Sequence, residues 1–228
     1  MKLACQWSWS LAACALLLGR VHAGPVLTFE GLKDFEAVAD YYNGGMGSLG
    51  TGPGPSYGIT FGAFALASIP GQTSGMVTPF PGDPSPPTVL LLVDPSSQIG
   101  PGNPISTTMN VAGGFTQGLS FYFINIADAT RVTDAKIFSG PNGTGTLLAT
   151  DTLPVTPAAF GGPSTVFFSG TALSVVFDGG NNQLALDDIS FFAPVPEPST
   201  MVLVIASLPL LLIVWRRGRN TRANQYFP

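Results

Sequence analysis

Cysteine, histidine and tryptophan are missing from the 171 residues between Gly24 and Pro194. The chain of 228 residues has two cysteines, one histidine and three tryptophans, and all of them lie near its two ends. The central stretch therefore excludes a disulfide framework, a zinc site with Cys or His ligands, a Ser-His-Asp triad and haem ligation by His or Cys. Many classes of enzyme are excluded with them.

Basic side chains are also scarce in this stretch, which has Lys33, Arg131 and Lys136 against twelve Asp and Glu residues. Its formal charge is therefore −9. A nucleic-acid partner is not expected, because phosphate binding needs a basic face and three scattered cations cannot form one. Divalent cations and neutral polymers remain compatible with this charge.

The first 23 residues predict a secretory signal peptide, and hence the Sec translocon as a partner. An apolar run over residues 11–18 is followed by small residues at the −3 and −1 positions, so cleavage is expected between Ala23 and Gly24. The segment ending at Cys14 also resembles a lipobox, in which this cysteine would be lipidated, and that alternative stays open. In both cases the chain is exported through the inner membrane.

The last 34 residues predict a membrane anchor. Residues 199–215 are almost entirely apolar and would span about 25 Å as a helix, slightly less than a bilayer core. Trp215 would lie at the interface, and the tail over residues 216–228 would stay in the cytoplasm. The arginines that stop the membrane span are Arg216, Arg217 and Arg219.

The same region resembles a known sorting signal. The motif Val195-Pro196-Glu197-Pro198, the apolar helix and the arginine cluster follow one another as in the PEP-CTERM signal of Gram-negative bacteria. The resemblance implies recognition by an exosortase, removal of the helix, and transfer of the domain to the cell surface or extracellular matrix. It also implies a setting of exopolysaccharide and biofilm. A rigid proline linker before an ordinary anchor is the alternative.

The central stretch, residues 24–194, predicts a single all-β domain. It holds 26 Gly and 17 Pro, but short β-rich runs recur between turn signals, which favours a jelly-roll-like antiparallel β-sandwich over disorder. Only residues 32–42 have helical character. The runs predicted as strands are 26–29, 58–61, 88–93, 119–124, 135–138, 146–150, 166–168, 173–177 and 184–192.

Turns and loops follow from glycine, proline and asparagine. Residues 141–144 and 178–182 supply the left-handed positions that hairpins require. Residues 43–56, 70–87 and 94–104 are too long for simple hairpin turns, so they are expected to cover one end or one face of the domain.

Acidic residues near both ends of the domain resemble a calcium site. Glu30 follows the first predicted strand, and Asp187 and Asp188 lie in the last one, an arrangement similar to jelly-roll carbohydrate-binding modules. The resemblance implies that these carboxylates share a structural Ca²⁺, an ion that prefers hard oxygen ligands. Alternatively, Glu30 and Asp187 are the solvent-facing residues of alternating strands.

A glycan site is the second candidate. Tyr41, Tyr42 and Tyr57 flank a glycine-rich loop and could stack on sugar faces. Such tyrosines can also anchor the loop on the sheet instead. Both tyrosine segments resemble a pattern of other PEP-CTERM ectodomains.

An enzyme is not expected. A glycosidase needs two carboxylates that flank one bond, and neighbouring strand residues such as Asp187 and Asp188 are expected to point to opposite faces. The sequence therefore predicts an exported structural or adhesive protein of the matrix. A displayed carbohydrate-binding module is the alternative.

Overall fold

The computed structural model describes residues 24–72, 81–96, 98–127, 130–156 and 159–192. These residues form an antiparallel all-β fold, which confirms the all-β, antiparallel part of the prediction. Within these ranges no helix is present that could span a bilayer. The predicted signal peptide and the sorting signal with its membrane helix lie outside the described residues.

Nine strands are present in the described residues, and most follow the β-branched and aromatic runs of the sequence. Their bounds are β1 Val26–Leu27, β2 Ile59–Phe61, β3 Ala65–Ser68, β4 Val89–Leu92, β5 Pro104–Asn125, β6 Asp134–Phe138, β7 Leu147–Thr152, β8 Gly161–Gly180 and β9 Leu184–Phe191.

All nine strands belong to one sheet, in the order β3-β4-β9-β5-β8-β6-β7, with β1 on β9 and β2 on β5. The long strand β5 changes partner along its length. Its first half pairs with β2 and its second half with β9, while β8 follows it on the other side. A register shift between Asn110 and Phe115 separates the halves. The sheet therefore folds over itself in a sandwich-like manner.

The main core lies inside this folded sheet. It combines side chains from both halves of β5 with those of β1, β2, β8 and β9, including Phe29, Met109, Phe121 and Phe177, which are fully buried. Every residue of β3 and β4 is buried, because a smaller cluster covers their second face. That cluster consists of Leu66, Val89, Leu91, Val93, Ile124 and Ala185, against which Phe35, Ala37 and Phe160 pack.

Residues 32–42, predicted to have helical character, form turns instead of a helix. Their backbone bonds to the neighbouring strand β3: Phe35 N donates to Ala67 O, and Val38 N donates to Ala65 O. A backbone that donates to a strand cannot also donate within a helix. The helical prediction is therefore wrong, and the segment lies along β3 without regular secondary structure.

The two hairpin turns have the predicted left-handed backbone. Asn142 and Gly143 have φ of 54° and 69° between β6 and β7, and Asn182 has φ of 60° between β8 and β9. Asparagine and glycine adopt this conformation at low cost, so the turns form where the sequence places these residues.

Glu36 holds the loop over residues 43–56 against the sheet. Its carboxylate is fully buried and accepts hydrogen bonds from the backbone N–H groups of Lys33, Leu49 and Thr51 at 2.8, 2.9 and 2.9 Å. Burial alone would raise the pKa of Glu36, but the hydrogen bonds from Thr51, Lys33 and Leu49 outweigh it and lower the pKa. The loop is therefore organised around one ionised carboxylate.

We expect the substitution Glu36→Gln to lower the free energy of unfolding at pH 7 by about 2 kcal/mol, since an amide cannot accept all three bonds. Because the pKa of Glu36 is lowered from 4.5 on folding, its contribution is present above pH 4.5 and is lost as the pH falls through the folded value. Urea denaturation between pH 3 and pH 7 measures the difference, with the exposed Asp40→Asn as the matched control. An unchanged difference across this range would contradict the assignment.

Candidate functional site

Three segments meet beside strand β9, at the point where its neighbour changes. β4 pairs with β9 at Leu186, and β1 pairs with it from Ile189 onward. The residues between them are Asp187 and Asp188. The loop over residues 81–88, which leads into β4, lies against both aspartates. A small acidic cluster forms at this junction.

A β-bulge in β9 lets the carboxylates of Asp187 and Asp188 reach the same hydroxyl group. Ser120 of β5 pairs with Ser190, but Tyr122 pairs with Asp187, so two residues of β9 face one residue of β5. Asp188 takes up the extra length with φ of 47°. The side chains of Asp187 and Asp188 therefore do not point to opposite faces of the sheet, and the prediction that they would is wrong. Their carboxylates reach the same hydroxyl, and the alternation rule fails because the strand is bulged.

The shared hydroxyl belongs to Ser85. Its Oγ lies 2.7 Å from Oδ2 of Asp187 and 2.8 Å from Oδ1 of Asp188, and the Ser85 backbone N–H also donates to Asp187 at 3.2 Å. One hydroxyl has one proton to donate. It can therefore satisfy only one of the two carboxylates at a time.

Asp187 is the least satisfied of these groups. Its side chain is fully buried, and its Oδ1 has no hydrogen-bond partner. Burial and the adjoining carboxyl of Asp83 raise the pKa of Asp187 to about 8. Burial also raises the pKa of Asp83, and the charge of Asp188 adds to this increase. The cluster therefore binds a proton more readily than an exposed carboxylate does.

Glu30, the third predicted metal ligand, lies at the same junction but has its own partner. Its Oε1 accepts a hydrogen bond of 2.8 Å from Thr88 N, and its Oε2 lies 3.5 Å from the Thr88 hydroxyl. Glu30 thereby ties the end of β1 to the start of β4. Across the described ranges, no three His, Cys, Asp or Glu side chains are grouped closely enough to hold a metal ion by themselves.

The sequence interpretation missed Asp83 and Ser85, because they fall in a segment read only as a loop. The segment reads Pro81-Gly82-Asp83-Pro84-Ser85-Pro86-Pro87, and each proline fixes its own backbone and restricts the residue before it. The backbone of Asp83 and Ser85 therefore has little conformational freedom to lose when their side chains take up fixed positions at the cluster. The alternation of prolines with Asp83 and Ser85 is the sequence feature that could have pointed to this cluster.

The three predicted glycan-binding tyrosines come together, but not as an exposed platform. Tyr42 is buried, its ring stacks on Tyr57 at 6.2 Å, and Tyr41 packs edge-on against it at 5.2 Å. The Tyr42 hydroxyl accepts a 2.7 Å hydrogen bond from Phe29 N, and burial raises the Tyr42 pKa. Tyr42 is therefore a core residue and cannot stack on a sugar. Tyr41 and Tyr57 are partly buried against the same core.

A groove of about 360 Å³ lies between β2, the middle of β5 and the β6–β7 hairpin. Amides and a hydroxyl line it. Two of the amides bond to each other across the groove: Asn110 Nδ2 donates to Asn142 Oδ1 at 2.9 Å, and Asn142 N donates to Asn110 Oδ1 at 2.7 Å. The polar lining residues are Asn43, Thr60, Asn110 and Asn142.

Comparison with known proteins does not assign the chain to a family. No protein-family model matches the chain, and no curated protein matches it. The predicted residues of the sorting motif, the membrane stop and Ala23 lie outside the described residues. Their roles therefore stay predictions from the sequence.

We expect Tyr42→Phe to lower the free energy of unfolding by about 1 to 3 kcal/mol, because it leaves the buried N–H of Phe29 without an acceptor. Tyr41→Phe is the matched control, since the Tyr41 hydroxyl makes only a 3.4 Å contact with Glu30 O. Urea denaturation of both variants measures the difference. Equal loss in both would contradict the placement of Tyr42 in the core.

Proposed function

We propose that the protein is exported to the cell surface or extracellular matrix of a Gram-negative bacterium, where its jelly-roll-like domain acts as a structural or adhesive component of an exopolysaccharide matrix. The proposed route has three steps. The signal peptide directs export, residues 199–215 anchor the chain in the inner membrane, and an exosortase processes it at the motif Pro196-Glu197-Pro198. The domain carries no catalytic role in this proposal.

The observation that carries this proposal is the position of the motif relative to the folded domain. The last strand, β9, ends at Phe191, and the motif begins at Val195. Three residues of the sequence therefore separate the last strand from the motif. This spacing supports processing at the motif while the sheet stays intact.

We expect the double substitution Glu197→Ala and Pro198→Ala to leave the protein at its unprocessed length in the membrane fraction. Pro194→Ala, outside the motif, is the matched control and should be processed normally. Immunoblots of membrane, surface and medium fractions from the producing bacterium follow both variants. Normal processing of the double variant would refute exosortase sorting.

A second candidate is a carbohydrate-binding module displayed by the same route. The groove lined by Asn43, Thr60, Asn110 and Asn142 supports it, because amides and hydroxyls are the groups that hydrogen-bond to sugar hydroxyls. In this candidate the exopolysaccharide is a bound ligand and not only the surrounding medium.

We expect the double substitution Asn43→Ala and Thr60→Val to weaken binding to the producer's own polysaccharide at least tenfold, since it removes two hydrogen-bonding groups from the groove. The double variant Asn103→Ala and Thr171→Val changes similar exposed groups outside the groove and should bind normally. Affinity electrophoresis in polysaccharide gels measures the change. If the unmodified protein is not retarded at high polysaccharide concentration, the second candidate is wrong.

A further inference from the structure

We propose that an exposed aromatic patch at the end of β9 docks the domain on the surface of a phospholipid bilayer. Phe167 and Phe192 form the centre of this patch, and Val26 lies in the neighbouring row of the same face. The docked state is the one in which the chain is still anchored, so this inference rests on the membrane anchor of the proposed function. It adds which face of the domain meets the membrane.

The sheet register brings the two phenylalanines together across a glycine. Gly118 of β5 pairs with Phe167 of β8 on one side, and Phe192 N donates to Gly118 O on the other. The two rings stack with their centroids 5.2 Å apart. A Cβ on Gly118 would lie 2.8 Å from the Phe192 ring, so a residue without a side chain makes room for this aromatic pair.

The patch is exposed although it is apolar. Phe167 is 71% exposed, Phe192 is 46% exposed and Val26 is 47% exposed. The neighbouring cross-strand row on the same face is uncharged and consists of Val26, Ser190, Ser120 and Thr165. Apolar side chains grouped on one exposed face and bordered by hydroxyl groups are typical of a surface that meets another apolar phase.

The position of the patch along the chain points to a bilayer as its occupant. Phe192 is seven residues before Ser199, where the predicted membrane span begins. Seven residues reach at most about 25 Å, so an anchored domain keeps the patch close to the lipid headgroups. Val26 pairs with Ser190, so the chain also enters the domain beside the end of β9. Because a short tether gives a high effective concentration, weak affinity is sufficient for docking.

Charge and ring geometry favour a neutral phospholipid surface over other occupants. Residues 24–194 have a formal charge of −9, so an acidic partner would be repelled. The rings of Phe167 and Phe192 stack with an interplanar angle of 17°, and each covers one face of the other. Since a sugar stacks on open ring faces, this pair suits the interface of a bilayer better than a glycan.

The test reconstitutes the full chain in phosphatidylcholine vesicles, with or without brominated acyl chains that quench tryptophan fluorescence. The variant Phe167→Trp places a reporter in the patch. Val132→Trp is the matched control, because Val132 is 68% exposed and lines a different groove. The emission of each variant is corrected for that of the unmodified protein, which has tryptophans of its own. We expect brominated lipid to reduce the corrected emission of Phe167→Trp at least about twofold and to leave that of Val132→Trp nearly unchanged.

A second substitution tests whether the patch itself makes the contact. Adding Thr165→Asp to Phe167→Trp puts a charge on the same face, and it should remove at least about half of the quenching, because a charged side chain resists transfer into lipid. Adding Val132→Asp to Phe167→Trp instead should leave the quenching unchanged. Far-UV circular dichroism shows that both double variants are folded.

The outcomes separate the docking from the anchor on which it rests. If the unmodified chain does not float with the vesicles in a density gradient, the anchor is wrong and the docking fails with it. If the chain floats but Phe167→Trp is quenched no more than Val132→Trp, only the docking is overturned. An emission shift that depends on protein density in the vesicles would assign the patch to a second copy of the chain. A shift that appears only with the producer's polysaccharide would assign it to a glycan, and both results would overturn the proposal.

Discussion

The pairing of β5 with its neighbours is the constraint on which the rest of this domain depends. β5 runs over 22 residues and pairs with β2, β8 and β9. Because side chains alternate along a strand, a slip of one residue would turn Met109 and Phe121 out of the core. The register shifts between Asn110 and Phe115 and between Ser120 and Tyr122 let one strand serve two layers. Both are therefore structural necessities of the folded-over sheet.

The second of these shifts also creates the acidic cluster, and comparison with Glu36 shows why that cluster is unusual. Both Glu36 and Asp187 are fully buried carboxylates. Three backbone N–H groups surround Glu36, and its pKa is lowered. Asp187 accepts a backbone hydrogen bond from Ser85 but shares the Ser85 hydroxyl with Asp188 and keeps an oxygen unpaired, and its pKa rises to about 8. Burial raises the pKa of both carboxyl groups, but three N–H donors outweigh it at Glu36, whereas the carboxyl of Asp83 adds to it at Asp187.

Sequence patterns predicted the strands that carry β-branched or aromatic residues. They did not predict the strands that form because a neighbouring strand pairs with them. Strand β3 reads Ala-Leu-Ala-Ser, which has little β propensity, and is a strand because β4 pairs with it. The glycines at 113 and 114 concealed the first half of β5. The prediction of helical character for residues 32–42 failed because the bonds of this segment to β3 are long-range, and a local sequence pattern does not show them. The bulge at Asp188 and the contact of Ser85 with Asp187, 102 residues away, were equally out of reach of a local pattern.

The charge balance of the domain connects the fold with its proposed roles. Twelve carboxylates against three cations leave few ways to neutralise an acid where the sheet buries it. Glu36 is stabilised by backbone N–H groups, and Asp134 and Asp178 share Lys136. Among the residues that the structure describes, the bulge in β9 brings carboxylates together without enough donors or an ion pair of their own. The raised pKa of Asp187 therefore follows from its burial and from the adjoining carboxyl of Asp83, at a junction where no basic side chain of the described residues offsets the charge.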